Sequence, residues 1–193
     1  MVLAVPRLDA LMPLFARLRA DVTLSAFEFF TDLALGHVLA AGGQRPYDSD
    51  APFHVLAEFD GDEPAALACF EAALDAGEVI DGVISQSRAQ AAELWHLREG
   101  ITEALSPHTP YKNDIAVRIG DVPVFLDRMQ ALFAREYPGM EVVWFGHLGD
   151  GNLHVSVLQP AGMPRQAFLD ECTRVTRSLC DVLQAMGGSV SAE

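Results

Sequence analysis

Hydrophobic positions along the chain alternate between two periods, one typical of helices and one typical of strands. Apolar residues three and four apart predict helices over residues 8–18, 33–39, 63–76, 87–105, 122–137 and 165–186. Short apolar or alternating runs predict strands over residues 23–30, 54–59, 79–85 and 115–119. Glycines, prolines and aspartates separate most of these runs, as is typical of turns and loops.

One hairpin is predicted near the carboxyl end, over residues 140–158. Two apolar runs flank the turn-forming residues 149–152, which read Gly-Asp-Gly-Asn. If those four residues form the loop, His147 faces His154 across the two strands. Directly opposed residues on one face have Cβ atoms about 4.5–5.5 Å apart, so the two imidazoles can bind one cation. A pair of ordinary strand histidines fits the same spacing equally well.

The order of the elements predicts the fold class. Helices alternate with strands, but the tight hairpin requires antiparallel neighbours. The pattern therefore predicts an α+β fold in which helices cover one face of a mainly antiparallel sheet. A length of 193 residues suits one domain or two small subdomains. The two halves of the chain show no clear residue-level repeat.

Composition and charge exclude several classes of partner. Half of the residues are hydrophobic, which is enough for a sizeable core. No run approaches the roughly 20 apolar residues of a membrane span, and residues 1–20 lack the pattern of a signal peptide. The net charge of −14 argues against nucleic acid or an anionic membrane as the main partner. It also means that a small anionic substrate needs local cations, either arginine side chains or a metal ion.

The cysteines and four of the histidines are assigned no chemistry. An odd number of cysteines without a CxxC pair predicts free thiols that pack as small hydrophobic residues in a reduced, cytoplasmic setting. These residues are Cys69, Cys172 and Cys180. Four histidines have no partner pattern and are predicted to be structural or exposed: His37, His54, His96 and His108.

Residues 145–154 read FGHLGDGNLH and closely resemble the signature of the C-terminal domain of FAD-linked oxidases. This family includes D-lactate, glycolate and D-2-hydroxyglutarate dehydrogenases. Four further stretches fit the family pattern, so the resemblance covers nearly the whole chain: LSAFEF at 24–29, LWHLRE at 94–99, KNDI at 112–115 and GSVSAE at 188–193. The resemblance implies duplicated ferredoxin-like subdomains, with residues 1–193 as the substrate- and metal-binding domain.

The resemblance also implies a longer protein. The family's N-terminal FAD-binding domain is not within these 193 residues. In the family, the segment that ends here at Glu193 continues into a histidine and a glycine-rich turn. We therefore expect the chain to be part of a longer polypeptide, and inactive on its own, because the family's usual catalytic base is that following histidine. No residue of this chain is assigned as catalytic.

A metal site is implied at three residues. The resemblance assigns His147, His154 and Glu193 as ligands of a divalent ion, with zinc or manganese expected. A set of two histidines and one carboxylate leaves coordination positions open for water or substrate. Asp150 and Asn152 are expected only to shape the turn.

Three further residues are implied as substrate ligands. Arg98 and Thr102 are four residues apart on a predicted helix and so share a face. The resemblance makes them binders of the substrate carboxylate, whereas the pattern alone favours a solvated helix face. Lys112, placed just before a predicted strand, is expected either to bind the second anion of a diacid or to be a solvated loop lysine. Asn113 is a weaker candidate for the same role.

The function implied by the resemblance is the oxidation of a D-2-hydroxy acid to a 2-keto acid, with hydride transfer to FAD. The flavin would be held mainly by the protein's own N-terminal domain, so no flavin-binding residue is assigned here. The expected partners are therefore that domain and a small 2-hydroxy acid, and a homodimer is left open. The alternative is a non-catalytic module, binding a metal or a small acid, that docks on a flavoprotein.

Overall fold

Each half of the chain contributes four antiparallel strands. In the computed structural model, which describes residues 1–61 and 63–191, the chain divides into two units, Met1–Ala104 and Leu105–Glu193. None of the helices in these described ranges is both long enough and apolar enough to cross a membrane.

Unit one contains strands β1 to β4, hydrogen-bonded in the order β4-β1-β3-β2. The strands are β1 (Val2–Val5), β2 (Thr23–Thr31), β3 (Phe53–Asp60) and β4 (Asp81–Val83). The helices are α1 (Leu11–Asp21), α2 (Asp32–Ala40), α3 (Glu63–Asp75), α4 (Arg88–Glu99) and α5 (Ile101–Leu105), the last ending at the boundary between the units. Helix α2 begins at Asp32, one residue before the predicted range, and the Thr31 hydroxyl caps it by accepting a hydrogen bond from the Ala34 amide at 3.4 Å.

Unit two contains strands β5 to β8, hydrogen-bonded in the order β6-β7-β5-β8. Its elements are β5 (Tyr111–Ala116), α6 (Val122–Glu136), β6 (Glu141–His147), β7 (Asn152–Leu158), α7 (Arg165–Met186) and β8 (Ser189–Ser191). Apart from the extra helices of unit one, both units read strand–helix–strand–strand–helix–strand. Both also place the first strand between the third and the fourth. This is the ferredoxin-like arrangement, so the predicted α+β fold with duplicated ferredoxin-like subdomains is confirmed.

The two faces of the unit-one strands carry different helices. Phe27 on β2 contacts Phe15 on α1, with ring centroids 4.8 Å apart. Glu28, the next residue, points to the opposite face and accepts a hydrogen bond from Arg98 on α4. Helix α4 therefore packs on the face opposite to α1, whereas the sequence pattern predicted helices on one face only.

In unit two, one face of the strands packs against α6 and α7. Val155 and Val157 on β7 are fully buried on this face, together with Trp144, which pairs with Val155. The Trp144 ring meets Phe125 of α6 edge-on, with centroids 6.0 Å apart. Residues of β7 that alternate with these, beginning with Asn152 and His154, point to the other face, and that face carries the predicted chemistry.

Several predicted boundaries differ from the structure. Strand β4 covers only three residues, the helix predicted over 87–105 divides at Gly100, and β5 begins at Tyr111 rather than at Ile115. The polar sequence of residues 111–114 resembles a loop, but these residues form strand because each of them pairs with a residue of β7. Asp114 also pairs with β8 on the other side. Strands β1 and β8 were not predicted.

The cysteines behave as small core residues. All three are free, Cys69 and Cys172 are buried, and Cys180 is half-buried. Burial raises the pKa of the Cys69 and Cys172 thiols to about 11. These two thiols therefore stay protonated at neutral pH and are poor nucleophiles.

Hydrogen bonds of a buried histidine, His54, connect the loop after α2 to the strands of unit one. His54 is fully buried, with Nδ1 2.5 Å from the Tyr47 hydroxyl and Nε2 3.2 Å from an Asp32 carboxylate oxygen. Its ring stacks on Phe30, with centroids 5.3 Å apart. Burial lowers the pKa of His54 below 6.5, and the hydrogen bond to Asp32 opposes that shift without reversing it. The folded chain thus favours neutral His54.

Acidification is expected to destabilise the chain through His54. Because its pKa is lower in the folded state than in the unfolded state, the stabilising contribution is complete above about pH 6.5 and declines as the pH falls below that value. The loss is at most about 1.4 kcal/mol for each pH unit. Urea unfolding between about pH 8 and about pH 5.5 should show a weaker pH dependence for His54→Gln than for the parent chain.

The matched control for this measurement is His96→Gln, because His96 is exposed. This substitution should leave the pH dependence of the unfolding free energy unchanged. Equal pH dependence in the parent chain and in His54→Gln would contradict the assignment to His54.

Candidate metal and substrate site

The hairpin between β6 and β7 brings two histidines together. Its loop is residues 148–151, in which Leu148–Asp150 form a 3₁₀ turn and Gly151 has a left-handed conformation, with φ of 73°. His147 pairs with Asn152, and His154 pairs with Phe145. The prediction that His147 directly faces His154 is therefore wrong by two residues.

The two histidines still share a face, because a shift of two residues preserves the side to which each strand residue points. They are diagonal neighbours, with ring centroids 5.5 Å apart and ring planes at 79°. The predicted loop of residues 149–152 failed because Leu148 is fully buried in the turn and Asn152 already belongs to β7. The two imidazole rings are therefore close to each other in spite of the change of register.

Two positions of the signature, Gly146 and Gly151, leave no room for a side chain. Gly146 has φ of 156°, and a Cβ there would lie 2.5 Å from the Asn152 carbonyl oxygen and 2.7 Å from the Leu153 Cα. A Cβ on Gly151 would overlap the carbonyl oxygen of Val117, the residue after β5. The glycines thus let the hairpin backbone pass close to neighbouring chain on either side of the histidine pair.

Asp114 is a site residue that the sequence prediction missed. It pairs directly with His154 across β5 and β7, and its Oδ1 lies 2.6 Å from His154 Nδ1. Both side chains are partly buried, with exposed fractions of 27% for Asp114 and 18% for His154. One sequence feature could have identified Asp114. It is two residues after Lys112, so the two side chains share a face if residues 111–116 form a strand.

Lys112 lies on the same face of unit two as the histidines. It pairs with Ser156, two residues beyond His154 on β7. Lys112 is exposed, whereas Ser156 is buried. The prediction that Lys112 precedes the strand is wrong, since it is the second residue of β5. The structure therefore brings Lys112, Asp114, His147 and His154 to one face.

Asn113 is separated from that group. As the residue between Lys112 and Asp114, it points to the opposite face of β5, where α7 packs. There its side-chain oxygen accepts a hydrogen bond from the Thr176 hydroxyl at 3.2 Å. This position does not support the prediction that Asn113 binds substrate.

Arg98 and Thr102 belong to unit one and differ in environment. Arg98 is 7% exposed and Glu28 is 4% exposed, and Arg98 Nε donates a hydrogen bond to Glu28 Oε2 at 2.9 Å. Thr102 is exposed, in α5, beyond the break at Gly100. The hydrophobic pattern alone predicted that Arg98 lies on a solvated helix face. That prediction is wrong, because the Arg98 side chain is buried.

The indole of Trp95 adds a second polar contact between α4 and the strands. Trp95 Nε1 donates a hydrogen bond to Glu58 Oε2 at 2.6 Å, and the Ser25 hydroxyl donates one to Glu58 Oε1 at 2.8 Å. Helix α4 is thus held by two carboxylates of the sheet, Glu28 and Glu58. This attachment determines the position of the Arg98 guanidinium.

The described residues supply two of the three predicted metal ligands. His147 and His154 are close enough to bind one ion, and the predicted third ligand, Glu193, lies outside the described residues. Within residues 1–61 and 63–191, no group of three or more histidine, cysteine, aspartate or glutamate side chains is arranged to hold a metal ion. The donor set of two imidazoles fits zinc or manganese if one carboxylate is added.

These features define an α+β protein of two ferredoxin-like units, with a histidine-rich polar face on the second. The whole chain, residues 1–193, matches the family model described as FAD linked oxidases, C-terminal domain. The chain therefore belongs to this family, and the resemblance inferred from the FGHLGDGNLH signature is confirmed.

Curated relatives agree with this assignment. The chain is 54% identical over its full length to D-2-hydroxyglutarate dehydrogenase of Xanthomonas citri pv. viticola, and covers 42% of that protein. It is 45% identical over its full length to D-2-hydroxyglutarate dehydrogenase of Stutzerimonas stutzeri, and covers 43% of it. A mitochondrial D-2-hydroxyglutarate dehydrogenase of Arabidopsis thaliana is 38% identical over 69% of this chain, an aligned region that covers 25% of the plant protein. The chain thus spans less than half the length of these relatives.

Proposed function

We propose that this chain is the substrate- and metal-binding part of a FAD-dependent dehydrogenase that oxidises a D-2-hydroxy acid to the 2-keto acid. The observation that carries the proposal is the convergence of His147 and His154 on one face, with Asp114 bonded to His154. Membership of the FAD-linked oxidase family supports the reaction class. The relatives' names support D-2-hydroxyglutarate as the substrate.

The proposed metal ligands are His147, His154 and Glu193, with Glu193 proposed from the family resemblance alone. Both histidines are on adjacent strands of one hairpin, so their relative position is set by backbone hydrogen bonds. A divalent ion held there, zinc or manganese, would act as a Lewis acid toward a substrate oxygen. The role of the two side chains is to hold that charge close to the substrate and to leave positions open for it.

The proposed substrate contacts involve three residues. Lys112 presents an ammonium group on the same face as the histidines, where it suits the second carboxylate of a diacid. Arg98 is proposed to bind the carboxylate next to the reacting carbon, since a guanidinium has five donors and can bind Glu28 and a substrate together. Thr102 is proposed to donate its hydroxyl to the same carboxylate. The recognition of two anionic groups favours a diacid such as 2-hydroxyglutarate over lactate.

The proposed cofactor is FAD, which takes the hydride from the substrate carbon. The family supports FAD, and we assign no flavin-binding residue to this chain. Most of the flavin contacts are proposed to come from the protein's FAD-binding domain. In this arrangement the present chain binds and orients the acid, while the flavin receives the electrons.

The test is a turnover screen of the full-length protein with a dye as electron acceptor. D-2-hydroxyglutarate, D-malate, D-lactate and glycolate are compared, before and after removal of metal with a chelator. We expect dye reduction with D-2-hydroxyglutarate to exceed that with D-lactate. Treatment with the chelator should abolish it, and added zinc or manganese should restore it. Absence of dye reduction with every acid would overturn the proposed reaction, and full activity after verified metal removal would overturn the metal site.

A further inference from the structure

We propose that Asp114 is a positioning residue for the metal site, fixing the tautomer and orientation of His154 so that Nε2 is the metal-binding atom. This inference rests on the proposed function, because it assigns a role within the same metal site. It is carried by the 2.6 Å contact between Asp114 Oδ1 and His154 Nδ1 and by the direct pairing of the two residues.

The contact determines which nitrogen is available. A neutral imidazole has one N–H donor and one acceptor nitrogen, whereas an ionised carboxylate can only accept. A hydrogen bond from Nδ1 to Asp114 therefore requires the proton on Nδ1 and leaves the lone pair on Nε2. Metal-binding histidines commonly donate their other ring N–H to a carboxylate or carbonyl in this way, which orients the ring and raises its basicity.

The position of His154 in the sheet makes this restraint strong. Strand β7 lies between β6 and β5, so His154 has a direct cross-strand neighbour on each side, Phe145 and Asp114. The Phe145 ring centroid is 5.0 Å from that of His154, and the Asp114 carboxylate bonds the ring from the other side. The imidazole is thus held between an aromatic ring and a carboxylate, both of them on regular strands.

The backbone of Asp114 is itself well restrained. Strand β5 pairs with β7 through six residues, Tyr111–Ala116, and with β8 on its other edge. A carboxylate on a strand that is paired on both sides has little freedom to move away from its partner. The arrangement fits a residue whose task is to orient a ligand, and it extends the site beyond the two histidines.

The experiment uses the full-length protein with Asp114→Ala, Asp114→Asn and the exposed control Asp127→Asn. Zinc affinity is measured by competition with a chelator of known affinity. Loss of such a supporting carboxylate typically weakens metal binding by about 10- to 100-fold. We expect a loss in this range for Asp114→Ala and a smaller loss for Asp114→Asn, whose amide oxygen can still accept from Nδ1. Asp127→Asn should bind zinc like the parent.

A second measurement separates orientation from folding. In metal-free protein labelled with ¹⁵N-histidine, the ring signals of His154 should report the Nδ1–H tautomer in the parent and loss of that preference in Asp114→Ala. A substitution that only perturbs stability would not change the tautomer. An Nε2–H tautomer in the parent, or an unchanged tautomer in Asp114→Ala, would overturn the inference.

The outcomes distinguish this inference from the proposed function. If the parent binds zinc and Asp114→Ala binds it equally well, the positioning role is wrong and the metal site stands. If the parent binds no zinc but the tautomer depends on Asp114, the metal site is wrong and the orientation of His154 stands. A loss of zinc in Asp114→Asn as complete as that in His154→Ala would make Asp114 a ligand, which would also overturn the inference.

Discussion

Alanine at His147 or at His154 is expected to remove the divalent ion from the full-length protein and to abolish oxidation of the hydroxy acid. Each substitution deletes one of the two proposed ligands of the hairpin, and the remaining imidazole with one carboxylate is too small a set for a firm site. The loss of metal affinity should exceed the loss proposed for Asp114→Ala, which is about 10- to 100-fold.

Metal content by elemental analysis and turnover with D-2-hydroxyglutarate provide the measurement. The matched control is His96→Ala, which removes an exposed histidine of unit one. That variant should retain the metal and the activity of the parent. If either His147→Ala or His154→Ala binds as much metal as the parent protein, the histidine pair is not the metal site.

Breaking the buried pair of Arg98 and Glu28 is expected to destabilise the chain by about 3–5 kcal/mol. The side chains are 8% and 5% exposed, so either single substitution breaks the ion pair and leaves the other charge in the core. Arg98→Met and Glu28→Leu should each show this loss in the free energy of unfolding. The double variant should recover much of it, because two apolar side chains replace the pair without leaving a buried charge.

Urea unfolding of the two single variants and the double variant measures the coupling between the residues. The control is Arg135→Ala, which breaks the exposed pair with Glu136 and should change stability by no more than about 1 kcal/mol. Losses below about 1 kcal/mol in both single variants would show that the pair is not a buried structural contact.

The proposed role of Arg98 in substrate binding needs a different variant, because Arg98→Met changes folding and binding together. Arg98→Lys keeps the positive charge and loses the planar fork of donors. A rise in KM with a smaller change in unfolding free energy would support a substrate contact. An unchanged KM would leave Arg98 as a structural partner of Glu28 only.

Local signals were sufficient to predict several elements. Helix α7 was predicted over residues 165–186 and observed as Arg165–Met186. Its apolar stripe is long, Pro164 precedes it, and Gly187 ends it in a left-handed conformation with φ of 69°. The β6–β7 hairpin was recognised for a similar reason, since turn residues stand between two apolar runs. The family signature lies within that hairpin, so the family was also recognisable from the sequence.

Register and burial depended on contacts that local patterns do not contain. The loop of the hairpin is displaced by one residue, and the strand register by two, because Leu148 enters the core and Gly151 passes against the Val117 carbonyl. Residues 111–114 resemble a loop by composition, but pairing with β7 makes them a strand and turns Lys112 and Asp114 to the face of His154. The position of Asp114 beside His154 could therefore not be predicted before the strand order was known.

Periodicity, turn residues and a contiguous signature are local properties of a chain, and they were enough to predict the types of element, the α+β class, the family and the histidine pair. The burial of Arg98 against Glu28, seventy residues away in the chain, and the hydrogen bond between Asp114 and His154 became apparent only in the folded chain. The environment of a charge depends on which distant carboxylate or imidazole the fold places beside it, and a local pattern does not contain that information.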